Sequence, residues 1–171
     1  MKTVLDRLET QPITVEVIDP RTRNTVEVTL GRFDVQQLTA QVVGNSEVVR
    51  IPALYYALSK GHTNHTLIRT VAQAVGRARQ GPFGSAMPPA MDCASSADPE
   101  RLRQIEQEAK NTLLGNAIDF PYPEVCAGLD NSDLGSAFRQ PIRTKVPALF
   151  ISGTLDARTP VSNAEKTQAL R

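Results

Sequence analysis

With 171 residues, 40% of them hydrophobic and 22% charged, the chain has the composition of a folded domain and not of a disordered segment. A formal net charge of +1, 5% aromatics and no Trp give no reason to expect a polyanion-binding surface or a base-stacking platform, so no nucleic-acid partner is expected. No apolar run approaches the length of a membrane span, and the charged amphipathic start Met1–Glu9 lacks the apolar segment of a signal peptide.

Residues 3–9 predict a short helix with Val4, Leu5 and Leu8 on one face. Ile13–Ile18 alternates as a strand, Asp19–Asn24 is a turn, and Thr25–Leu30 alternates again, which predicts a β-hairpin. Three helices follow. The first is capped by Asp34, carries Val35, Leu38 and Val42, and ends at Gly44. The second runs from Ile51-Pro52 to Lys60, with Gly61 past its end. The third begins near Thr63 and turns Leu67, Ile68, Val71, Val75 and Ala78 inward.

Gly81–Pro89 has the composition of a loop. Asp98 and Pro99 open a longer helix with Leu102, Ile105, Ala109 and Leu113 on one stripe, ending at Gly115. Phe120–Pro123 is expected to be extended, Glu124–Gly128 to form one helical turn, and Asp130–Thr144 to be mostly loop. Val146, Ala148, Leu149, Phe150 and Ile151 then form a short apolar run, the pattern of a parallel strand covered on both faces. The run leads through Gly153 to Asp156 and Thr159-Pro160, and Ser162–Glu165 reads as a capping box for a last helix. A lone parallel strand leaves backbone groups without partners, so either the run is not a strand or its neighbours lie outside this chain.

The segment Val146–Pro160, followed by a helix, resembles the acid-bearing segment of α/β-hydrolase-fold enzymes. There a strand ends in a small turn containing Gly and Asp, often with Thr-Pro after it. Ser85–Ser95, the Pro123–Cys126 segment and the helices before them resemble the cap of the branch similar to proline iminopeptidases and tripeptidyl aminopeptidases. Together these stretches cover most of the chain from about residue 30 onward.

The resemblance implies an α/β fold class. Residues 1–140 would be a mainly helical cap with a small hairpin, and residues 141–171 part of the hydrolase core. It implies Asp156 as the acid of a Ser-His-Asp triad, a peptide or ester substrate, and no metal or organic cofactor. The other triad members are not found. The nearest approaches to a Gly-x-Ser-x-Gly elbow, Gly84-Ser85-Ala86 and Gly135-Ser136-Ala137, lack its first glycine, and His62 and His65 both precede Asp156 instead of following it. The expectation is therefore a fragment of a serine hydrolase, inactive alone. The alternative is a self-contained helical binding module in which Asp156 is an ordinary turn aspartate.

Other candidates have plainer readings. His62 and His65 share a helix face but fall short of a zinc ligand set, so they read as surface residues. Arg69, Arg77 and Arg79 suit the outer side and end of a helix. Tyr55 and Tyr56 read as packing residues of the cap. In the aminopeptidase branch acidic cap residues bind the substrate's amino group; Asp119 and Glu124 lie in the stretch leading out of the cap, and neither aligns to that role. Cys93 and Cys126 are either one disulfide or two buried thiols.

Overall fold

Val4, Leu5 and Leu8 recur at helical spacing and all three are buried in α1 (Lys2–Thr10). In the computed structural model of the chain, the residues described are 1–80, 85–129, 133–140, 144–154, 156 and 159–169. The predicted hairpin follows as β1 (Ile13–Ile18) and β2 (Thr25–Leu30), antiparallel from Ile13 opposite Leu30 to Ile18 opposite Thr25. Period-two alternation sends Val15, Val17, Val28 and Leu30 to one buried face. Asp19 turns the chain between the strands by accepting from the backbone N–H groups of Arg21 and Thr22.

Three helices follow: α2 (Arg32–Val42) and α4 (Thr66–Gln80) pack on the hairpin, and α3 (Ile51–Ser59), preceded by a 3₁₀ turn at Ser46–Arg50, packs on α4 and α1. The first of these starts two residues before the expected cap. Gly31 is its N-cap, and Asp34 reaches back from the first turn to accept the Gly31 N–H at 2.8 Å. Gly44 and Gly61 lie at φ +90° and +70°, the left-handed conformation that stops α2 and α3. Gly76 lets α4 approach the hairpin, since a Cβ there would stand 3.1 Å from Val28 Cγ2. α4 begins at Thr66, and its buried residues are Ile68, Val71 and Ala72, whereas Ala78 is exposed.

These elements share one core, from Val4 and Leu5 of α1 through the hairpin, Val35, Leu54 and Leu58 to Ala72. No residue of that cluster lies beyond Ala72.

The second half is built differently. Met87–Ser95 is a helix, α5, whose first turn takes up the Met87–Pro89 end of the expected Gly81–Pro89 loop; Gly81–Gly84 of that stretch lies outside the described residues. Pro88 and Pro89 are tolerated because they fall in its first turn, where their missing N–H groups cost no helix bond. α6 (Pro99–Ala109) opens as expected, with the Asp98 carboxylate accepting from the Glu100 N–H at 2.8 Å. It ends before Gly115, which starts a 3₁₀ turn (Gly115–Ile118), so Leu113 leaves the stripe and is exposed. Phe120–Pro123 is a turn with two cis X-Pro bonds and not an extended stretch. α7 (Glu124–Ala127) is the expected single turn, and α8 (Gly135–Phe138) adds another in the Asp130–Thr144 stretch, of which 130–132 and 141–143 lie outside the described residues.

The expected parallel strand is absent. Residues 145–151 form no strand, and the hairpin is the only sheet among the described residues. Leu149 and Ile151 are 84% and 88% exposed. A parallel strand is stabilised by ladder hydrogen bonds on both sides and by covered faces. Among the described residues this run pairs in no sheet and its side chains are exposed, so the apolar pattern alone does not make a strand. The last helix, α9 (Val161–Ala169), begins one residue before Ser162, which sits inside its first turn and not ahead of it as a cap. The chain is thus mainly helical with one small antiparallel sheet.

Candidate functional site

Asp156 stands in a turn made by its own neighbours. Its N–H donates to the Gly153 carbonyl at 3.1 Å. The Thr159 N–H donates to Asp156 Oδ1 at 2.9 Å, and the Thr159 hydroxyl donates to Oδ2. Ser152 Oγ closes the turn by donating to the Thr159 carbonyl at 3.3 Å. The carboxylate is therefore oriented by donors three residues downstream, and it is half-buried. Leu155, Ala157 and Arg158 lie outside the described residues.

Pro160 and Asn163, just past that turn, line a cleft of about 400 Å³. Its opposite wall is α6 and the Gly115–Ile118 turn, and its floor includes the end of α2. Ala40, Ile105 and Ile118 give it apolar surface, while Arg101, Glu108 and Asp119 give it charge. Gln104 links two of these, accepting from Arg101 at 3.0 Å and donating to Glu108 at 2.7 Å. A cleft of this size and mixed lining suits a small molecule with an apolar body and polar ends.

The other sequence candidates are placed elsewhere. His62 and His65 are exposed in the connection between α3 and α4, where His65 Nδ1 accepts from the Leu67 N–H at 3.3 Å. Among the described residues no group of His, Cys, Asp or Glu could hold a metal ion. Arg69 and Arg77 are exposed, but Arg79 is a tie between elements. It donates to the Thr29 carbonyl at 3.0 Å and pairs with Asp34 at 2.8 Å. Tyr55 is buried against Thr39, with its hydroxyl pKa pushed up by desolvation. Tyr56, expected to pack, is 64% exposed and lies under the Lys60 ammonium. Asp119 lines the cleft, whereas Glu124 is exposed in the first turn of α7.

Cys93 and Cys126 form a disulfide joining α5 to α7. Polar contacts gather around it: the Tyr122 hydroxyl donates to Asp92 at 2.6 Å, and the Leu134 N–H to the Ala94 carbonyl at 2.9 Å. Arg139 donates to the Ser95 carbonyl at 3.0 Å and pairs bidentately with Asp133. Arg139 and the Gly135 N–H hold the Asp133 carboxyl down at about 2.

Sequence reasoning missed Arg101 and Glu108. The signal available was their position beside Ile105 on one flank of α6; what it lacked was the placement of α9 across from them. No helix among the described residues is long and apolar enough to cross a membrane. The chain matches no family model, no curated protein and no solved structure.

Proposed function

We propose that the chain is a portion of an α/β-hydrolase-type serine hydrolase, a peptidase releasing N-terminal residues or short peptides, or an esterase, in which Asp156 is the triad acid. The observation that carries the reading is the Asp156 carboxylate oriented by Thr159, in a chain segment whose continuation, Pro160 and Asn163, lines a cleft suited to a small molecule. In this reading an imidazole N–H donates to the Asp156 carboxylate. The carboxylate then selects the tautomer and stabilises the imidazolium as a serine hydroxyl loses its proton to the other ring nitrogen. The serine attacks the peptide or ester carbonyl, the amine or alcohol leaves, and water hydrolyses the acyl-enzyme. The serine and the histidine would come from sequence outside these 171 residues, and the helices before the turn would serve as the cap that limits entry to small substrates.

A second reading has its own support. The core from Val4 to Ala72 closes without any residue of the acid segment, as a self-contained helical binding module would.

The two readings separate by assay. In a longer frame that encodes the elbow serine and the histidine, Asp156→Ala is expected to lower kcat on amino-acid p-nitroanilides by about four orders of magnitude. Parent-level turnover in that variant rejects the triad assignment, and absence of any such frame favours the binding module. The 171-residue chain alone is expected to leave the same substrates intact.

A further inference from the structure

The loop closed by Cys93 and Cys126, with a sequence separation of 33, contains α6, the Gly115–Ile118 turn and Asp119. It thereby supplies one whole wall of the cleft, including Arg101, Ile105, Glu108 and Asp119. Yet this loop has almost no core of its own. α6 buries no residue, and within the loop only Cys93 and Ala117 are buried hydrophobics. It is attached to the first half at α2: the Gly115–Ile118 turn packs against that helix, Gln36 Nε2 donates to the Leu113 carbonyl at 2.6 Å, and Phe33 meets Phe120 edge to face at 5.1 Å. The first half, by contrast, is held by the continuous cluster from Val4 to Ala72.

We infer that the Cys93–Cys126 disulfide is a redox-operated clasp: closed, it holds the α6 wall of the cleft against α2, and reduced, it releases that wall while the Val4–Ala72 core stays folded. The physical basis is the unequal source of order in the two parts. Burial of apolar area holds the core and does not depend on redox state. The loop relies on the crosslink, which removes closure entropy from its open states. For a loop of this length the crosslink favours the closed arrangement by on the order of 500-fold.

Cys126 is the less buried of the two cysteines, so the incoming thiolate attacks its sulfur and expels the Cys93 thiolate. The second thiol of a dithiol reductant then displaces Cys126 from the mixed disulfide. Two electrons and two protons pass to the protein as two thiols, and the reductant leaves as its cyclic disulfide. The clasp is closed in oxidising surroundings and open where glutathione and thioredoxin keep thiols reduced.

Hydrogen exchange read by mass spectrometry on the full chain, before and after dithiothreitol, tests this. Free thiols are counted in the same samples. Reduction is expected to add two hydrogens and two titratable thiols and to lower protection across residues 99–119 by on the order of 500-fold. Protection across residues 51–75 is expected to hold. The Cys93→Ser/Cys126→Ser variant should show the loosened loop with or without reductant. The clasp is overturned if two thiols appear and the loop stays protected, if loop and core lose protection together, or if reduction adds no hydrogens because the cysteines were never joined.

Discussion

Asp133 shows how one residue's setting changes its chemistry. Two guanidinium nitrogens of Arg139 and the Gly135 N–H all donate to it, and each favours the ionised form. Its carboxyl titrates at about 2, below the ordinary 3.8. Because the folded value is depressed, the pair's contribution is fully present above pH ~4 and is lost as pH falls through ~2. A carbon-detected NMR titration should therefore find the Asp133 midpoint near pH 2 in the parent. In Arg139→Gln it should return toward the ordinary carboxylate range. An unmoved midpoint would mean that Arg139 does not hold it. Asp156 is governed by the same kind of local donor, Thr159, three residues downstream. The Asp-x-x-Thr spacing was in view from the start, but the use of both carboxylate oxygens by one threonine appears only with the backbone turn.

At the scale of elements, the hairpin was readable residue by residue. Alternation determined which side chains face the helices, and the observed register pairs Val15 with Val28 and Val17 with Val26 on that face. The same register sets Glu16 directly opposite Glu27 on the exposed face, where like charges disfavour pairing. Glu27→Lys is expected to stabilise the chain by roughly 0.2–1 kcal/mol in urea unfolding at low salt, and less at high salt. A loss of stability would show that the two carboxylates are not opposed. The run at 145–151 marks the limit of such patterns. Its apolar residues satisfy the rule for a strand covered on both faces, but that rule describes what a sheet demands of a strand, and the sheet has to be there.

For the whole molecule, the division of order is uneven. The buried cluster spans Val4 to Ala72, while the large apolar residues Met87, Met91, Leu134, Phe138, Leu149 and Ile151 in the second half are exposed. Stability should follow that division. Residues 1–80 expressed alone are expected to unfold cooperatively in urea and to keep the helical and strand signature in circular dichroism, small though such a domain is. A non-cooperative transition would show that the second half supports the first. The ties across the division are specific contacts at α2, chiefly Gln36 with Leu113 and Phe33 with Phe120. They place the cleft between the two halves, where a loosely held wall can move.

Local rules carried the first eighty residues a long way. Periodicity, proline and glycine positions and capping residues located α1, the hairpin, α3 and the body of α2 and α4, because each depends on neighbours a few positions away. The cysteines were an even choice between thiols and a bridge until folding brought residues 33 apart into bonding range. The cleft was likewise invisible, since α2, α6 and the start of α9 meet only through contacts between distant stretches. Asp156 lies between the two cases. Its motif and its family resemblance belong to the order of residues, and its orientation comes from Thr159 three residues on, whereas the cleft lined by the Pro160 and Asn163 that follow it comes from the way the chain returns on itself.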